Sequence, residues 1–242
     1  MGFNLKSTVL TKASPSVNIP PTVSALWVVA SGAGGGGSGA AAAGAATGLP
    51  AGGCGELCLG AMIPVTPGAT FTATIGAGSA GQTSNHKKLA GGDTVFGPFQ
   101  TKGAQADKVS GSDGQYGGGG GGANDGQGTP NRAAYAPDLE SHTFVGGFAS
   151  YHQAAAVAGV SILGPHAGGA IGSGGGAVGY GGSESIWPGG GQGGALNGNG
   201  ASAGAAAYGA GGGGGGGPSA SAGTTGGNGA DGVCVVFWVE YD

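Results

Sequence analysis

The stretch ALWVVASGAGGGGSG at residues 25–39 decides the fold. Its first seven residues form a short apolar run rich in β-formers, too brief for a stable helix and well suited to a buried strand. Its last eight carry no side chain larger than a serine hydroxymethyl. A strand therefore runs straight into backbone with almost nothing to pack. The same condition holds along the chain, where Gly (65) and Pro (12) fill 77 of 242 positions. Leu, Ile, Val and Phe together supply only 39 residues. That share lies below the roughly 20% at which a chain stops being able to build an ordinary core. Rossmann domains, TIM barrels and helical bundles are poor matches for it. The net charge is only −4 and charged residues are 7% of the chain, so self-repulsion does not hold it open. Something other than side-chain packing has to order the glycines.

Collagen fails, because it needs Gly at every third position with abundant Pro. Here glycines come in blocks, at 117–122 and 211–217, with Pro scarce. Pleated silk-like sheets are weakened by Gly, which packs nothing in a strand. The extended three-fold helix of polyproline, built from Gly, is the remaining regular option. It has no internal hydrogen bonds, so every N–H and C=O must reach a neighbouring helix. Bare backbones can approach that closely, with Cα–H···O contacts adding about 0.5–1 kcal/mol each. The expected fold is mostly irregular and β: a bundle of polyglycine-II helices on a small β base, with almost no α-helix.

Three further strand signals flank the Gly tracts. Residues 69–76 alternate Phe71, Ala73 and Ile75 against threonines, residues 93–96 read DTVF, and residues 232–240 read GVCVVFWVE. The last alternates apolar residues on both sides, so both its faces are expected to be covered. Pairing it with 25–31 joins chain start to chain end. Residues 150–158 are the best helix candidate. Residues 1–24, with Lys6, Lys12 and three prolines, read as a separate arm, either loose or an attachment segment. The remainder, 25–242, reads as one glycine-rich domain with inserts at 82–89, 99–116, 129–153 and 180–188. No secretory signal or membrane-spanning run is legible.

In order, ALWVVASGAGGGGSG at 25–39, PVTPGATFTATIGAGSAG at 64–81, GGDTVFG at 91–97 and GGNGADGVCVVFWVEY at 226–241 resemble the glycine-rich domains of bacteriophage tail-fibre adhesins. That resemblance implies a polyglycine-II sandwich at a fibre tip, with receptor-binding loops between Gly helices. It implies a virion protein assembled in the host cytoplasm, as a homotrimer or a cap on a trimeric fibre. Residues 1–24 would then contact other virion proteins.

Motifs for chemistry are weak. No Gly-Lys-Ser/Thr follows any Gly loop, so a Walker-type loop is absent. GASAG at 200–204 matches a nucleophile elbow around Ser202 but has no strand and helix to hold it. Cys54, Cys58 and Cys234 are odd in number and read as buried thiols, with a local or interchain disulfide or a metal site as alternatives. The sequences around 111–114 and 124–126 read as turns rather than calcium loops. The four His and eleven carboxylates are scattered, giving no acid–base pair, no cofactor and no metal expectation. Seven basic residues without a stripe argue against nucleic acid, and nothing argues for membrane insertion.

Large side chains that interrupt the Gly carry more information. A bare-backbone bundle has no interior room for them, and loops on a rigid scaffold commonly bind. Tyr135, Tyr151, Tyr180 and Trp187 are the expected receptor-contacting residues, stacking on a bacterial glycan or gripping a surface protein. The same aromatics would serve equally to plug bundle ends or face another subunit. The expected function is non-catalytic host attachment. Its alternative is a purely structural virion protein, such as a tail component or capsid-decorating fibre. Irregular inserts argue against an ice-binding face, and the lack of a carboxylate pair argues against a depolymerase.

Overall fold

The computed structural model describes residues 2–39, 52–83, 90–104, 137–138, 142–145, 191, 199–204, 208–212 and 223–241. Among these residues there is no helix. Ten strands form two antiparallel sheets. They are β1 (Phe3–Leu10), β2 (Ser16–Asn18), β3 (Ala25–Ser31), β4 (Leu57–Pro64), β5 (Thr70–Thr74), β6 (Thr94–Phe96), β7 (Phe99–Thr101), β8 (Pro137–Asp138), β9 (His142–Val145) and β10 (Val233–Tyr241). The larger sheet has the order β1-β10-β3-β4-β9-β8 and the smaller β2-β5-β6-β7.

The two sheets face each other over the apolar core. Leu10, Leu26, Val28, Cys58, Ile63, Cys234 and Val236 come from the larger sheet and its flanks, and Phe71, Ala73 and Phe96 from the smaller. Each large side chain buried there contributes about 1.5–3 kcal/mol. Phe71, Ala73 and Ile75 point inward and Thr70, Thr72 and Thr74 outward, as the alternation predicts. Chain start and chain end do pair: Val29 lies opposite Val235 and Trp27 opposite Phe237. Tight turns use Gly where the backbone demands it. Gly68, at φ 76° after Pro67, completes a turn closed by Ala69 N–H donating to Thr66 C=O at 3.1 Å. Gly97, at φ 59°, opens the two-residue loop between β6 and β7.

Three expectations need correcting. Residues 3–10 and 16–18 are not a loose arm: β1 pairs with β10 from Phe3↔Tyr241 to Leu10↔Cys234, and β2 pairs with β5. The insert at 99–116 begins with β7, which pairs with β6. The strand at the chain end is not covered on both faces. Ser31, Leu57 and Val233 are buried where the bundle meets the sheet, but further along that face Trp27, Met62 and Val239 stand open. The helix candidate at 150–158 lies outside the described residues.

Each major strand continues into the Gly-rich body. The strand β3 leads into 32–39, β5 into 76–82 and β7 into 102–104, while 52–56 leads into β4, 90–93 into β6 and 226–232 into β10. These segments are extended yet pair with no single partner. Gly32 and Gly35 donate to Glu56 and Gly53 of one neighbour, both at 2.9 Å. Gly34 and Gly37 donate to Ala230 and Gly227 of a second, both at 2.9 Å. Ala33 donates to Gly92 of a third at 3.0 Å. Returning bonds come from Ala104, Ser79, Gln82 and Gly212. The segment is thus ringed by six others.

Bonds to one neighbour recur every three residues. A pleated ladder would return to the same neighbour every two. The same step appears between 52/55 and 212/209, between 226/229 and 82/79, and between 200/203 and 225/228. Three residues per turn with purely lateral bonding is the polyglycine-II arrangement. Its density explains the composition. A Cβ added to Gly34, Gly36, Gly52, Gly81, Gly226 or Gly229 would overlap a carbonyl of an adjoining segment.

Candidate functional site

Many of the polar side chains resolved in the bundle are already occupied in holding it together. A helix at the rim lacks one neighbour, and its orphaned N–H groups need another acceptor. Asp231 Oδ1 accepts from Gly78 at 2.8 Å and Asn228 Oδ1 from Gly81 at 2.8 Å. Asn199 Oδ1 accepts from Thr225 at 2.8 Å, Ser79 Oγ from Gly36 at 2.6 Å and Ser202 Oγ from Asn228 at 3.1 Å. At the rim, Asp231, Asn228, Asn199 and Ser202 stand in for carbonyls of absent neighbours, while Ser79 satisfies an N–H of the fully surrounded 32–39 segment. Ser202 therefore sits in an extended bundle segment, not on a strand-to-helix elbow.

The ion cluster at the junction works the same way. Glu56 Oε2 accepts from Lys102 N–H at 2.8 Å, Asp93 Oδ1 accepts from Gly103 N–H at 2.9 Å, and Lys102 Nζ reaches Asp93 Oδ2 at 2.8 Å. Burial pushes the Glu56 carboxyl above its ordinary value, against the Lys102 hydrogen bond and charge, which favour ionisation.

One open cleft of about 700 Å³ lies where the turn at 11–14 faces the bundle. It is lined by Thr11, Lys12, Ser202, Tyr208, Asn228 and Asp231 among others. Lys12 Nζ stands 4.0 Å from Asp231 Oδ1, with both side chains substantially exposed. The cleft thus offers an ammonium, a carboxylate and a phenol ring to a polar ligand.

The expected receptor-contacting residues Tyr135, Tyr151, Tyr180 and Trp187 all lie outside the described residues, as do the loops at 111–114 and 124–126. Sequence reading missed Lys12 and Asp231 as neighbours, because they are 219 positions apart and meet only through the fold. Cys54, Cys58 and Cys234 are buried thiols outside any disulfide. Cys58 and Cys234 each lie opposite Ala30, one on either side, so about two strand spacings (~9–10 Å) separate them, beyond disulfide reach. Burial raises Cys58 to about 11 and Cys234 to about 12. Among the described residues no group of three His, Cys, Asp or Glu could hold a metal ion.

No curated protein matches the chain. A family model described as a glycine-rich domain matches residues 8–239, which takes in both sheets and the bundle. The chain belongs to that glycine-rich domain family.

Proposed function

We propose that the chain is a non-catalytic adhesin of a bacteriophage tail fibre or tail tip, binding a bacterial surface protein or glycan. The observation that supports this reading is the period-three lateral network among the described residues, a backbone-bonded scaffold of the kind on which binding segments are commonly carried. A scaffold ordered by backbone alone leaves its inserted loops free to vary, the division of labour that attachment proteins need. The contacts assigned to the receptor are Tyr135, Tyr151, Tyr180 and Trp187, with residues 1–24 meeting other virion proteins. In this reading the protein resides in the virion, assembled in the host cytoplasm, as a homotrimer or as a cap on a trimeric fibre. No cofactor enters the proposal.

The test is competition. Purified protein added in excess should slow adsorption of the phage to its host, and Trp187→Ala protein, still folded, should compete less well. Wild-type protein that never competes would leave the second reading, a structural virion protein.

A further inference from the structure

The outward face of the larger sheet carries a contiguous apolar surface spanning four strands. In antiparallel pairing, residues directly opposite share a face. The register therefore lines up Phe3 with Tyr241, Leu5 with Val239 and Val9 with Val235. It continues from Val235 to Val29, and from Phe237 through Trp27 to Met62. Every residue that this register places on the face is uncharged, with Ser7 its polar member on β1. Phe3 is 73% exposed, Leu5 67%, Met62 55%, Val9 48%, Trp27 46% and Tyr241 73%. These side chains, with Val239, expose roughly 700–800 Å², above the roughly 300–600 Å² of the largest patch on a typical monomer. Exposure falls off toward the bundle, where Ser31 and Val233 are buried, so the patch has a defined border.

We propose that this face is a two-fold interface between two copies of the chain. Its area matches the ~800 Å² that each partner contributes to a standard stable interface. A sheet surface free of charge suits another like it, and two such faces pack about 10 Å apart as the layers of a sandwich. An ionic partner would find nothing on it to pair with. In a two-fold dimer each of these side chains is buried twice, so one substitution acts at two places. The interface lies on the sheet and leaves the bundle untouched, so it does not depend on the receptor contacts; it is compatible with a fibre cap and replaces the homotrimer with a dimer.

The experiment is sedimentation of the full chain from 1 to 100 µM, beside Leu5→Lys with Trp27→Ser, and beside Tyr241→Lys alone. Both substituted sets are exposed in the monomer, and circular dichroism at the lowest concentration checks that each variant is folded. The wild type is expected to be dimeric, with the dissociation constant raised at least about a hundredfold in the double variant. Tyr241→Lys, at the sheet's end, gives a smaller rise. A monomer at 100 µM, or a trimer, overturns the proposal. So does a dimer that persists in both folded variants, which would point to edge pairing through β1, the border strand of the sheet.

Discussion

Replacing Gly34 by Ala tests the bundle at its centre. Gly34 donates to Ala230 C=O at 2.9 Å and accepts from Ser79 N–H at 3.2 Å, so its segment is held from two sides. A Cβ there would overlap the carbonyl of Ala210. That carbonyl is not free to swing away, because it accepts the Ala230 N–H at 2.9 Å. Overpacking of this kind costs about 1–3 kcal/mol, and loss of the Ala210 bond adds about 0.5–1.5 kcal/mol. Against this, Ala restricts the unfolded chain and returns about 0.4–1 kcal/mol. At the middle of these ranges the net loss is about 2 kcal/mol, which for a chain of this length lowers Tm by roughly 4–8 °C. The comparison is Gly60→Ala, whose Cβ would lie 2.7 Å from Trp27 Cζ2. Trp27 is 46% exposed and can turn aside, so this change stays within about 1 kcal/mol of wild type. Scanning calorimetry of the three proteins at one concentration decides. Gly34→Ala with an unchanged or raised Tm would mean that the tract is irregular coil, and the lateral-bonding account would fall.

Three further outcomes are expected. Glu56 takes up its proton at a higher pH when folded than when unfolded, so its contribution is most favourable below the ordinary carboxylate range and is lost as pH rises through the raised value. Glu56→Gln, which keeps an oxygen for Lys102 N–H, should therefore raise Tm at pH 7 and flatten the Tm-against-pH curve between pH 4 and 7; a steeper curve would refute this. Thr101 Oγ1 is buried with no hydrogen-bond partner, so the isosteric Thr101→Val should raise stability by about 1 kcal/mol in urea titration, and destabilisation would count against the site's being unpaired. With Cys58 near 11 and Cys234 near 12, neither thiol should react with Ellman's reagent in native protein at pH 8, while urea-unfolded chain should titrate three.

The elements legible in the sequence are those where side-chain alternation and burial agree. The strands β3, β5, β6 and β10 each form where a short apolar run predicts a strand, although Trp27 of β3 and Val239 of β10 lie on an open face. The strand β1 failed to register for a specific reason: Phe3, Leu5 and Val9 alternate with Asn4, Lys6 and Thr8, but the apolar set faces outward. Period alone cannot say which side of a strand is the core. The strand β4 is hidden by Gly60, which interrupts its pattern because Trp27 of β3 lies across it, and by the bulge beside it. The cleft was not legible at all, since Lys12, Tyr208 and Asp231 come from three distant segments with no local motif.

The bundle and the sandwich are one structure seen at two side-chain sizes. Opposed sheets with ordinary side chains stand about 10 Å apart, because the core fills the gap. Along β3 the inward residues Leu26, Val28 and Ala30 shrink toward Gly32, and the facing chain gives up its side chains directly after Ile75, at Gly76. Once the side chains are gone, nothing holds the sheets apart. Segments that leave opposite sheets then bond directly, as Gly34 of the β3 extension does with Ser79 of the β5 extension at 3.2 Å. Thr94, buried at the junction, accepts from Gly76 N–H at 3.1 Å just where the ladder changes from a two-residue to a three-residue step. On this account the sandwich fixes which Gly segments are neighbours and in what register. Polyglycine on its own would carry no such register, because every residue is equivalent. The strands supply the specificity that the glycines lack, and the glycines supply the stiffness that so small a core could not.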